Sequence, residues 1–143
     1  MALKIIDHGS KEYQLMVQLR NDILRKPLGM DFTPEELEKE KENILIGAFE
    51  EDKLLGCCML IRTSNPEIRL RQLAVLKNLQ GKGIGRAIIQ FAENIARDTG
   101  HKKVTMHARK TSVPFFEKLG YAVCGEEFLE ITIPHFEMEK ALR

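Results

Sequence analysis

Apolar residues recur along this chain with two periods, and the change from one to the other marks its elements. Ile84, Ile88, Phe91, Ala92, Ile95 and Ala96 fall on one stripe of a helix, which Gly100 ends. Tyr13, Met16, Val17, Ile23 and Leu24 follow Ser10 at near-helical spacing, with Ser10 as the expected N-cap, and "KPLGM" (Lys26–Met30) breaks that helix. "TPEELEKEKE" opens another: Thr33 at the N-cap, Pro34 in the first turn and Glu36 at the third position predict a capping box, and the acidic start suits the helix dipole. Beyond that start, the charged run Glu35–Glu42 reads as a solvated face. Ser112 is expected to cap a short helix, "VPFFEKL", closed by Gly120.

Between the helices the period shortens toward two. Leu3–Asp7 predicts a first strand. Asn43–Phe49 and Leu54–Thr63 are apolar runs joined by the polar "EEDK", an antiparallel hairpin; "TSNP" (Thr63–Pro66) predicts a second turn into Glu67–Val75. Three neighbouring strands with short links make a meander. Lys102–Ala108 is reached through a helical crossover and should lie parallel to Glu67–Val75. "YAVCG" and "HFEMEKAL" predict the last strands. Without a repeat or a long linker, residues 1–143 read as one domain of mixed α/β class.

Composition narrows the function classes. Apolar residues make up 43% and charged residues 30%, as in a globular chain. A net charge of +1 without a basic block argues against nucleic acid as partner. The chain has no apolar run of membrane length and the N-terminus lacks a signal-peptide pattern, so a cytoplasmic protein without a membrane partner is expected. Cys57, Cys58 and Cys124 suit neither a disulfide framework nor a zinc site, and no metal is expected.

The chemistry concentrates in Gln80-Gly81-Lys82-Gly83-Ile84-Gly85-Arg86, between a strand and a helix. Free N–H groups and the positive dipole end of the helix favour an anion there, and glycines let backbone amides close on phosphate oxygens. Lys82 and Arg86 add positive charge. The loop is not a Walker loop, since Gly83 follows Gly81-Lys82, nor a dinucleotide fingerprint, since the glycines are misspaced and Leu76 to Leu79 intervene. A nucleotide-phosphate binder and a turn without ligand remain open on spacing alone.

Gln80-x-x-Gly83-x-Gly85, after a strand and opening a long helix, resembles the acetyl-CoA pyrophosphate motif of the GNAT (general-control-related) N-acetyltransferases. "PFFEKLGYAV" (Pro114–Val123) resembles that family's second signature, and "EEFLEITIPHFEMEKAL" is similar to a subgroup closing on Ile-Pro-His. The order of elements over most of the chain agrees. The resemblance implies the acyl-CoA N-acyltransferase fold: a mostly antiparallel sheet of about six or seven strands, splayed between two parallel cofactor strands and flanked by about four helices. It implies acetyl-CoA as acetyl donor and direct transfer to a primary amine, most simply of a small molecule. It also places Leu73, Ala74 and Val75 against pantetheine, Gln80 through Arg86 at the pyrophosphate, and Ser112, Phe115 and Phe116 near the thiol. One of the two phenylalanines is expected to be core, because neighbours on a helix do not share a face.

Transfer to an amine needs a proton acceptor and an oxyanion donor, for which a backbone amide near Leu73 is the expected source. Phe116 stands where many members carry an acidic tyrosine, Tyr121 is a poor substitute, and the cofactor strand lacks the carboxylate that serves others as base. A non-catalytic acyl-CoA sensor is therefore the alternative. By strict alternation Glu67, Arg69, Arg71, Leu73 and Val75 share a face, so Arg69 or Arg71 is a candidate to hold an anionic group of the acceptor, a solvated strand face being the competing reading. His107 is a candidate to orient the acetyl group or relay a proton, and His135 to meet the substrate; for each, a structural role is the competing reading. Arg20 and Arg25, at the first helix and its exit, would border the acceptor side, and the C-terminal strands are candidates for pairing across a homodimer.

Overall fold

A computed structural model describes residues 1–63 and 65–143. The strands are β1 (Ala2–Ile6), β2 (Ile44–Glu50), β3 (Lys53–Arg62), β4 (Glu67–Val75), β5 (Lys103–Arg109), β6 (Ala122–Val123), β7 (Phe128–Glu130) and β8 (Ile133–Ala141). The α-helices are α1 (Lys11–Arg20), α2 (Pro34–Glu38), α3 (Ile84–Asp98) and α4 (Val113–Lys118). One sheet runs β1-β2-β3-β4-β5-β8-β6, with β7 hairpinned onto β8. Every neighbouring pair is antiparallel except β4 and β5. Ser64, inside the turn expected at Thr63–Pro66, lies outside the described residues.

Two apolar layers cover the sheet. On one face Ile84, Ile88, Ile89 and Ala92 of α3 pack with Cys58, Leu60, Ile68, Leu70 and Met106. On the other, Tyr13, Met16 and Leu19 of α1 meet Leu45, Phe49, Cys57 and Met59. Phe91 and Ile95 flank the α3 stripe only half-buried. Emptying the volume of Ile88, which is 0% exposed, to alanine would cost about 2–5 kcal/mol. No helix among the described residues is long and apolar enough to cross a membrane.

Ser10 caps α1 through its hydroxyl, and Thr33 and Glu36 close the expected capping box. Ser112 occupies the position before α4, but its side chain makes no capping bond. Past Arg20 the helix widens to a π-turn over Asn21–Arg25 and ends at Gly29, φ +71°. Two expectations fail nearby. Glu35–Glu42 is not wholly a solvated face: Glu40 is buried, accepts from both Nη1 and Nη2 of Arg20 (2.8 and 2.5 Å), and accepts from the Tyr13 hydroxyl at 2.7 Å. Arg20, 0% exposed, is therefore a core strut between α1 and the turn after α2, not a cleft residue. "YAVCG" supplies only the two residues of β6, and the chain adds β7, unforeseen in sequence, before the last strand.

Candidate active site

Pairing between β4 and β5 stops early. Glu67, Ile68 and Arg69 face Lys103, Val104 and Thr105, and among the described residues no ladder joins the strands beyond. β5 instead stays paired to β8 along its whole length. The last six residues of β4 thus diverge from β5, leaving backbone polar groups along one edge of each strand for another extended chain to meet.

A bulge sits in this diverging segment. Cys57 pairs with Ala74 and Met59 with Arg71, so Gln72 and Leu73 together oppose Cys58 alone. Gln72 takes φ +59°. The extra residue reverses the alternation. Leu73 and Val75 pack on the same side as Ile68 and Leu70, and Ala74 on the side of α1. Arg69 and Arg71 therefore do not share a face with Leu73, as strict alternation had required. The Gln72 Oε1 is buried and has no hydrogen-bond partner among the described residues.

The opening widens into a cleft of about 450 Å³. Its walls come from Leu70–Leu73 and Gln80, Met106–Arg109 of β5, Thr111, Ser112 and Phe116, the α1 exit (Ile23, Leu24, Arg25, Leu28), and the β7–β8 hairpin (Glu130, Ile131, Ile133, His135). Of the expected acceptor residues, Arg71, Arg25, His107 and His135 are brought together here. Arg69 is not on the wall; it is half-buried with Nε unpartnered. Arg25 is nearly buried, stacks 4.1 Å from the Phe32 ring centroid, and donates to Glu36 at 2.9 Å, so its charge is already answered. Arg71 is exposed and Arg109 half-buried, and neither forms an ion pair among the described residues. Arg109 was not singled out from the sequence.

The glycine loop starts from the wall of the same opening, which Gln80 lines. Gly81 and Gly83 take φ +83° and +86°, a conformation that costs other residues about 1–2 kcal/mol. Helix α3 begins without a side-chain cap among the described residues, which leaves the N–H groups of its first turn open, as an anion seat requires. A Cβ on Gly85 would come to 3.3 Å from Cζ of Phe115. Gln80 ties the loop down by donating from Nε2 to the Val75 carbonyl at 3.2 Å. Lys82 and Arg86 are present on the loop and the first helical turn. These groups fit a pyrophosphate. Phe116 is buried and forms cleft wall and core at once; Phe115 is 40% exposed and borders the glycine loop, not the cleft.

The far wall holds a cluster that was only half seen in the sequence. Glu130, unnoticed there, accepts from His107 Nδ1 at 3.0 Å and lies 3.6 Å from His135 Nε2 through its other oxygen. The Phe128 ring meets His107 edge-on (5.1 Å between centroids) and stacks on His135 (5.9 Å). Burial pulls the Glu130 carboxyl upward, but the His107 hydrogen bond and the charges of His107, His135 and Arg71 outweigh it and hold it below the usual carboxylate range. Tyr121 is excluded as an acid: its buried hydroxyl donates to Glu93 at 2.8 Å, and burial with that carboxylate pushes its pKa far up. Cys57 and Cys58 are fully buried, and burial raises both thiols, so neither is a nucleophile.

Comparison with known proteins agrees with this geometry. The family model of the acetyltransferase (GNAT) domain matches residues 26–142. The uncharacterized N-acetyltransferase YjcF of Bacillus subtilis (strain 168) is 35% identical over 107 residues, which is 74% of this chain and 74% of that protein. An acyl-CoA N-acyltransferase from Pseudomonas aeruginosa superposes with a TM-score of 0.83 at 19% identity, over 98% of this chain and 99% of the other. An aminoglycoside 6'-N-acetyltransferase complexed with coenzyme A superposes with a TM-score of 0.81 at 17% identity, over 100% of this chain and 98% of that one.

Proposed function

The chain belongs to the GNAT family of acetyl-CoA-dependent N-acetyltransferases, and from that premise we propose that its acceptor is a small primary amine that also carries a phosphate or carboxylate. The observation that carries this reading is the unequal state of the cleft arginines. Arg25 is neutralised by Glu36, whereas Arg71 and Arg109 face the cleft from two diverging strands without an ion pair among the described residues. A guanidinium offers a planar fork of donors that matches a carboxylate or phosphate, and a partly enclosed cleft strengthens such a pair.

The remaining roles follow the same geometry. Bound acetyl-CoA supplies a thioester acetyl group. Gln80 through Arg86 hold its pyrophosphate by backbone amides and by the charges of Lys82 and Arg86. Leu73, Ala74 and Val75 pair along the pantetheine arm in the gap that β5 leaves, and Ser112 and Phe116 close the thiol end. The Leu73 amide, turned out of register by the bulge at Gln72, donates to the oxygen that gains negative charge during transfer.

Arg71→Ala tests the acceptor assignment. It should raise the acceptor KM about 10-fold or more, the scale of a charge-assisted pair, while acetyl-CoA affinity is unchanged. An unchanged acceptor KM would remove Arg71 from the substrate site.

A further inference from the structure

Resting on that amine-transfer reading, we propose that Glu130 and His135 together take the proton from the acceptor ammonium, with His107 positioning the Glu130 carboxylate.

The assignment begins with tautomers. His135 Nδ1 lies 2.7 Å from the Ile133 carbonyl oxygen. A carbonyl only accepts, so Nδ1 carries the hydrogen, and in the neutral ring Nε2 holds a lone pair. That lone pair lies 3.6 Å from Glu130 Oε2. While the ring is neutral, two acceptors thus face each other with no proton between them. His107 is the opposite case: its Nδ1, 3.0 Å from Oε1, donates to the ionised carboxylate and fixes its plane. The His107 Nε2 lies 3.8 Å from Glu137 Oε1, and Glu137 is not on the cleft wall. The cleft-side proton vacancy is therefore the one between Glu130 and His135.

Access and fixed geometry let a proton enter it. His135 is 6% exposed, so its ring is fixed, while the Glu130 side chain is 37% exposed and reachable from the cleft. Phe128 packs on both imidazoles. The titratable and charged groups facing the cluster are His107 on β5, Glu137 and His135 on β8, and Arg71 on β4, with Arg25 and Arg109 on the same cleft wall. Glu137 favours an added proton and the arginines oppose it; the positive surroundings of Glu130 keep its carboxylate ionised and so able to accept one.

The step balances simply. The ammonium gives one proton to Glu130, shared with His135 Nε2 and later released to solvent. The freed nitrogen lone pair forms the C–N bond at the thioester carbonyl, and the C–S bond breaks. The second amine proton leaves the nitrogen and goes to the departing thiolate, giving amide and thiol.

Glu130→Gln keeps shape and removes the proton acceptor. Its test is the pH profile of kcat/KM with acetyl-CoA and whichever of phosphoethanolamine, β-alanine or glucosamine 6-phosphate the wild-type protein acetylates fastest. The variant should lose about 100-fold or more near neutral pH, the scale of a lost general base, and the gap should shrink to less than about 10-fold as pH approaches the pKa of the amine. Glu130→Asp should recover part of the rate, and acetyl-CoA affinity should stay unchanged in both. A loss equal at every pH, or no loss, overturns the assignment while leaving amine transfer intact. Absence of transfer to any amine by the wild-type protein overturns both.

Discussion

Gln72 shows how one residue redirects a site. Its positive φ inserts the bulge that turns Leu73 away from the face of Arg69 and Arg71 and frees the end of β4 from simple alternation. A glutamine has no preference for this conformation, so nothing local in "RLRQLAV" announces it. The glycine loop is the contrary case: Gly81 and Gly83 are legible because their φ values are those that glycine tolerates. Gly83→Ala should destabilise the fold by about 1 kcal/mol in urea unfolding, and should weaken acetyl-CoA binding by more than that loss explains, because the first amides of α3 would tilt. Unaltered acetyl-CoA affinity in that variant would separate the loop from the pyrophosphate. Glu130 was invisible for another reason: its contacts are with two histidines that the sequence places 23 residues before it and five after.

At the scale of elements, the helices and the meander were readable, since α3 and β2–β4 carry clean apolar patterns over nine or more residues in α3, β3 and β4. The β7–β8 hairpin was not. Its turn is Ile131–Thr132, with φ of +50° and +62°, where a two-residue hairpin turn ordinarily takes asparagine and glycine. Two β-branched residues in that conformation store strain of about 1–3 kcal/mol each, and they aim Glu130 and Ile131 at the cleft. Replacing Ile131–Thr132 by Asn-Gly should therefore raise the melting temperature by several degrees, on the order of 4 °C for each kcal/mol released, and lower activity through loss of the Ile131 wall. A lower melting temperature would show that the turn is not strained. The acidic helix misled for a simpler reason: a charged run hides one inward residue, Glu40, when its arginine partner lies 20 positions earlier. Glu40→Ala should cost about 3–5 kcal/mol by leaving Arg20 charged and buried, measurable by the same unfolding experiment.

Over the whole molecule, one topological fact organises the rest. A meander strand and a crossover strand lie parallel for three residues and then part, while β5 stays bound to β8 along its length. The crossover helix starts uncapped just after Gln80 of the cleft wall, and the hairpin supplies another wall. In the proposed reading, donor and acceptor meet from opposite ends of a single cleft, and Arg71 and Arg109 on its wall would take the anionic group of the acceptor. The most direct measurement is thiol release from acetyl-CoA across matched amines: phosphoethanolamine against ethanolamine, β-alanine against propylamine, glucosamine 6-phosphate against glucosamine. Higher kcat/KM for the anionic member of at least one pair by about 10-fold or more, lost in Arg71→Ala, is the predicted result. Equal or faster transfer to the uncharged member of every pair would contradict it.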